Sequence, residues 1–251
     1  MKLRIRFRKQ GELRFIGHLD VMRYFQKVMR RAQVAIRYSE GFSPHQIMSF
    51  ASPLSVGLIS NGEYVDIDVS AADSSEAMRD RLNAAGVPQL QVLSVRRLDD
   101  SAKNAMASVA AADYVIWLKK EALPASREEE KALFEELLAF CKRPSVLTVK
   151  KTKKGEKEVD LKPMIWNAQA GELKLLRPAY AEAADAAYGL FVRLASGSAA
   201  NVKPEQLLGA FLEARGGADS SVSFQIEREE LYAAKEENGS LIPLEAFGSD
   251  F

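Results

Sequence analysis

A chain of 251 residues, 47% of them apolar and with 35 Lys and Arg set against 34 Asp and Glu, has the material for two cored domains and lies outside the disordered class. No apolar run approaches the roughly 20 residues of a membrane span, and the opening MKLRIRFRK lacks the apolar stretch of an export signal, so a cytoplasmic protein with no membrane partner is expected. Cys141 is the single cysteine, which excludes an internal disulfide, a Cys-rich zinc site and a self-contained iron–sulfur cluster, and no cofactor is expected.

Residues 2–8 alternate strictly, with Leu3, Ile5 and Phe7 on one side and Arg4, Arg6 and Arg8 on the other, the period of a strand with one face in a core. Residues 18–34 switch to helical spacing: Leu19, Met22, Phe25, Met29 and Ala32 recur at three and four, while Asp20, Arg23, Lys27, Arg30 and Arg31 hold the polar side. The stretch YSEGFSPH at 38–45 is a loop, because Gly41 can supply a positive φ and Pro44 drives Ser43 out of the helical region. Two apolar runs, 54–59 and 64–69, flank Ser60-Asn61-Gly62-Glu63, and Asn-Gly in that setting predicts a hairpin turn. Asp73 or Ser74 caps a helix ending near Ala85, and residues 90–97 form a closing strand. The order is β-α-β-β-α-β, the split arrangement of ferredoxin-like domains.

Residues 101–111 are small and polar and read as a linker. Beyond it come a strand at 114–119, a helix over Arg127–Cys141 stopped by Pro144, and a hairpin of 146–150 and 158–161 around Thr152-Lys153-Lys154-Gly155. The stretch 164–185 has no clear period. A strand at 188–194, a helix over Pro204–Ala214 and a strand at 222–233 complete the chain. The expected architecture is therefore α+β, with two ferredoxin-like (βαββαβ) halves: a basic domain at 1–100, the linker, and a second domain at 112–251 that carries an insertion and the lysine-rich hairpin 150–158.

Charge is segregated along the chain. Residues 1–50 hold eleven Lys and Arg against three acids, 142–157 hold seven against one, and 205–251 hold three against ten acids. A local basic surface binds polyanions whatever the global balance; the acidic tail could instead lie on that surface. In a ferredoxin-like half the first strand is central and the helices cover one sheet face. Arg4, Arg6 and Arg8 then stand about 7 Å apart on the open face, close to the phosphate repeat of a single strand, and their forked donors suit phosphate. The competing reading packs this face on the second half and pairs the arginines with acids such as Asp66 and Asp68. Lys150, Lys151, Lys153 and Lys154 of the hairpin form a second basic feature that follows a backbone without reading sequence; hairpin tips are also lysine-rich merely to stay solvated.

His18 and His45 are the only histidines. Two imidazoles across a phosphate can serve as general base and general acid, cleaving RNA through its 2′-hydroxyl without metal; the structural alternative has His18 capping the helix and His45 ordering its loop. Tyr38 and Phe42 bracket Gly41 and offer rings for base stacking, or serve as buried anchors. Asp20 suits the helix N-terminus, and Asp160 reads as a turn or strand-end residue. Phosphate-loop, dinucleotide-binding and nucleophile-elbow motifs are missing, and the two histidines lack metal spacing.

RFIGHLDVMRYFQKVMRRA, then YSEGFSPHQIMSFASPLSVGLISNGEYVDI, then KKTKKGEKEVDLKPMI resemble, in order, the blocks of a bacterial family of radical-SAM-associated proteins. Gly17 and Ser43 depart mildly from its pattern. The resemblance implies a partner enzyme that carries the iron–sulfur cluster this chain cannot bind. The expectation is a non-catalytic RNA-binding module that presents RNA, a tRNA or rRNA, to a radical-SAM enzyme for modification. The alternatives are a metal-independent endoribonuclease using His18 and His45, and a protein–protein adaptor for a radical-SAM enzyme.

Overall fold

The computed structural model describes residues 1–152, 155–178, 181–198, 200–217, 223–235 and 239–251, the side chains of 150–152 excepted. The chain is mixed α+β and divides into two compact units: Met1–Ala110 with Glu230–Phe251, and Ala111–Glu229. No helix among the described residues is long and apolar enough to cross a membrane.

In the first unit the alternating segment forms β1 (Lys2–Lys9), followed by α1 (His18–Arg31), β2 (Met48–Phe50), β3 (Ile59–Asp68), α2 (Ser75–Ala85) and β4 (Val92–Leu98). β1 lies between β4 and β3, antiparallel to both, and β2 pairs antiparallel with β3. Leu3, Ile5 and Phe7 are fully buried with Val21, Phe25, Val28 and Met29 of α1 and Met78 and Leu82 of α2, so the apolar half of the alternation faces the helices as the period demands. Ser74 caps α2, its Oγ accepting from the Ala77 N–H at 3.2 Å.

The Asn-Gly hairpin at 60–63 is not formed. β3 runs straight through it, and the turn lies earlier, at Ser55–Leu58, where Gly57 takes φ +91. Tertiary contacts explain the override: Asn61 is completely buried, and its Oδ1 accepts from Gln10 Nε2 at 2.9 Å. A solvent-facing turn at that site would strand both amides.

Within 101–111, Ala105–Ser108 form α3, and β5 (Val109–Leu118) follows. The second unit continues with α4 (Arg127–Cys141), β6 (Leu147–Thr152), β7 (Gly155–Asp160), β8 (Ile165–Glu172), α5 (Leu173–Leu176), β9 (Tyr188–Ala195), α6 (Pro204–Ala214) and β10 (Phe224–Ala234), which crosses back into the first unit. Its sheet order is β10-β5-β9-β8, while β6 and β7 form a separate two-stranded sheet. The lysine-rich hairpin is thus an excursion off the sheet, and the segment without a clear period supplies β8. Asp113 and Arg193, directly opposed on β5 and β9, form a forked pair at 2.6 and 2.7 Å. Buried Glu130 of α4 accepts from the Ala187 and Tyr188 N–H groups. Asp160 closes the hairpin as a strand-end residue, its Oδ1 accepting from Val146 and Lys162 N–H at 2.8 and 2.9 Å.

The tail from Glu230 adds β11 (Leu241–Pro243) against β10 and β12 (Gly248–Ser249) against the edge of β4. Ser75 and Phe251 tie its end to α2, through a backbone bond at 3.0 Å and a bond from the Phe251 N–H to Ser75 Oγ at 3.2 Å.

Candidate nucleic-acid interface

The face of β1 opposite the helices carries Arg4 and Arg6, and it is not open. Arg4 is 2% exposed. Its Nε and Nη2 form a fork with Asp66, its cross-strand neighbour on β3, at 2.8 and 2.9 Å, and Nη1 donates to Leu244 O at 2.9 Å. The second Asp66 oxygen also accepts from the Ala105 N–H at 2.7 Å. Arg6 lies between two carboxylates of the tail, Glu230 at 3.0 Å and Glu245 at 2.9 Å. Tyr64, opposite Arg6, donates its hydroxyl to Glu230 at 2.6 Å. Burial opposes the charge on Arg6, but Tyr64, Glu230 and Glu245 outweigh it and raise its pKa. Burial and the neighbouring Glu230 charge push the Tyr64 phenol far up as well. Arg96 of β4 extends the network to Glu245 and Asp250. Arg8 is half-buried. The expected row of three accessible guanidiniums on β1 is therefore corrected: Arg4 and Arg6 are consumed internally, as the alternative with Asp66 anticipated, and the cover is the tail and the residues around α3.

The basic residues of α1 are placed differently. The helix buries Val21, Phe25, Val28 and Met29 and turns Arg23, Lys27, Arg30 and Arg31 outward, all exposed. Arg30 and Arg31 in its last turn also complement the helix dipole. Arg23 makes an exposed bond to Asp20 at 3.4 Å, which leaves its charge available at little cost. Among the described residues no carboxylate pairs with Lys27, Arg30 or Arg31.

The loop carrying Tyr38 and Phe42 is docked on this helix. Tyr38 and Gln46 form an isolated antiparallel bridge. The Gln46 amide donates to Gln26 O in α1 at 3.3 Å and to the Tyr38 hydroxyl at 3.4 Å. Hydrogen bonds from Gln46 and Arg30 hold the Tyr38 phenol below its usual value, so loop and helix face meet at that ring. Tyr38 is 47% exposed and Phe42 fully so; both are surface rings, not anchors. Arg37, exposed and 3.8 Å from Asp68, is a further cation beside the loop that the sequence reading passed over. Its signal was present in the adjacency of Arg37, Tyr38 and Phe42, basic and aromatic residues interleaved.

The two histidines have different partners. His18 opens α1 with its ring edge-on to Phe50, centroids 5.2 Å apart. His45 closes the loop, Nδ1 lying 2.8 Å from Ser39 Oγ. The loop joins α1 at Gln26, eight residues from His18, about 12 Å of helix rise away. The N-cap of α1 is Gly17, so His18 does not cap the helix, while His45 is hydrogen-bonded within its own loop. Lys153 and Lys154, and the side chains of Lys150 and Lys151, lie outside the described residues. Among the described residues no cluster of His, Cys, Asp and Glu has the makings of a metal site.

Fold and surface together define a mixed α+β protein whose first unit joins a cationic helix face to an aromatic-bearing loop. The chain belongs to a family described as "Uncharacterized protein conserved in bacteria (DUF2344)", whose model matches residues 2–204. That description carries no link to radical-SAM enzymes. No curated protein matches the chain.

Proposed function

We propose that this chain is a non-catalytic RNA-binding module, a tRNA- or rRNA-holding protein of the cytoplasm that presents its RNA to a radical-SAM enzyme for modification. The observation that carries the RNA reading is the outward face of α1: Lys27, Arg30 and Arg31 are exposed, follow one another at helical spacing and have no carboxylate partner among the described residues. Such a face binds phosphate without reading sequence. The support for a radical-SAM partner is the resemblance of the motif blocks set out above. We also read both units as ferredoxin-like, the second with the β6–β7 hairpin inserted. Support for this comes from the shared strand order, β4-β1-β3-β2 in one and β10-β5-β9-β8 in the other.

The test is fluorescence anisotropy with labelled bulk tRNA over a salt series, wild type beside the triple variant Lys27→Glu, Arg30→Glu, Arg31→Glu. Binding falls at least tenfold in the variant, and the slope of log K against log salt drops by about 2, since each lost contact to single-stranded phosphate removes about 0.7. Acids in the last turn of α1 oppose the helix dipole and lower the melting temperature, so binding is compared at a temperature where circular dichroism shows both proteins folded. Equal affinity and equal slope in the two proteins defeat the proposal.

A further inference from the structure

The loop between Tyr38 and Gln46 is built to hold one ring in water. Its base is closed twice: the Ser39 N–H donates to His45 O at 2.8 Å, and the His45 N–H donates to Ser39 Oγ at 3.1 Å. The Ile47 N–H, donating to Arg37 O at 2.9 Å, continues the closure outward. At the tip Gly41 takes φ +108, a conformation that lets the chain reverse where a side chain would be strained. Phe42 follows it and is fully exposed. A phenylalanine in a hydrogen-bonded loop gives up the burial that ordinarily places it in a core. The base of the loop carries a second surface ring, Tyr38, held by Gln46 and Arg30 of α1, with exposed Arg37 beside it in the chain.

Resting on the RNA reading above, we infer that the ligand of this surface is single-stranded RNA, with an unpaired base stacked on Phe42 while the α1 cations hold the flanking phosphates. The cationic face by itself would serve any polyanion. The ring discriminates, because an A-form duplex hides its base faces inside the stack, whereas an unpaired nucleotide offers a π-face to an aromatic side chain. An anionic membrane is the other partner for basic and aromatic groups together. The loop argues against it: apart from Pro44, the residues around Phe42 from Ser39 to His45 are glycine or polar, and Glu40 among them is repelled by an anionic surface.

The experiment compares the full chain and its Phe42→Ala variant on a labelled uridine-rich single-stranded RNA, a blunt RNA duplex of matched length, and vesicles of mixed phosphatidylcholine and phosphatidylserine. Wild type prefers the single strand by about tenfold or more, and Phe42→Ala removes that preference while leaving the weaker, salt-sensitive duplex binding as it was. Phe42→Trp retains the preference, and its emission is quenched by the single strand beyond any change in wild type. Equal binding of strand and duplex by wild type, or a preference that survives Phe42→Ala, overturns this inference and leaves the RNA reading standing. Binding to neither RNA removes both. Binding to vesicles in place of RNA, lost in Phe42→Ala, transfers the loop to a membrane role and also overturns the inference. Because Phe42 supports no core packing, the variants fold, which circular dichroism checks.

Discussion

Arg6 separates two carboxylates whose proton affinities move in opposite directions. Burial raises the pKa of Glu230, against the pull of Arg6 and the Tyr64 hydrogen bond. Burial would also raise Glu245, but the nearby Ser94 hydroxyl and the charge and donors of Arg6 outweigh it and hold its carboxyl below its ordinary 4.5. The consequences for stability have opposite signs. The contribution of Glu245 is present above its unfolded value and is lost as pH falls through the lower folded value. Glu230, which binds its proton more tightly when folded, contributes below its unfolded value and loses that contribution as pH rises through the folded one. Denaturant titrations across the acid range should therefore show a shallower fall in stability below about pH 4.5 for Glu245→Gln than for wild type. An unchanged acid limb would mean that Glu245 is not held by Arg6 in solution.

At the scale of elements, β1 and α1 each present two faces, and their polar faces met different fates. On β1 the Arg4–Asp66 pair joins the strand to β3, to the start of α3 and to Leu244 of the tail. Asp66→Ala leaves a buried guanidinium and the Ala105 N–H without their acceptor and should cost about 3–5 kcal/mol in chemical unfolding. Replacing both partners by apolar residues, Arg4→Met with Asp66→Leu, should cost clearly less. A loss below about 1 kcal/mol in the single variant would contradict the buried pair. Both β1 and α1 were legible in the sequence because periodicity reports which residues share a face. Whether a polar face meets water was not legible. Beyond Asp66, which the sequence offered as a pairing acid, the partners of Arg4 and Arg6 arrive from Leu244, Glu230 and Glu245, more than 200 residues along the chain. The Asn-Gly signal failed for a related reason: a local turn preference lost to the buried Gln10–Asn61 contact.

The charge blocks of the whole molecule acquire a meaning from the path of the chain. The first unit is completed by the tail, and Glu230 and Glu245 of the acidic stretch meet Arg6 of the basic one, while Glu245 and Asp250 also meet Arg96 of β4. Opposite-sign blocks thus report in part an intramolecular neutralisation, which the sequence suggested as a possibility but could not assign to particular arginines. Cationic and outward in the first unit, among other residues, is α1 with its loop, where Arg23, Lys27, Arg30, Arg31, Tyr38 and Phe42 were all visible as candidates from spacing and residue type. The measurement that tests this account most directly is photocrosslinking of the full chain to a uridine-rich single-stranded RNA, with the adducts mapped by peptide mass. Adducts on peptides spanning residues 23–47, at Tyr38 or Phe42, are the predicted result. Adducts confined to peptides from other parts of the chain, with none in 23–47, would contradict it.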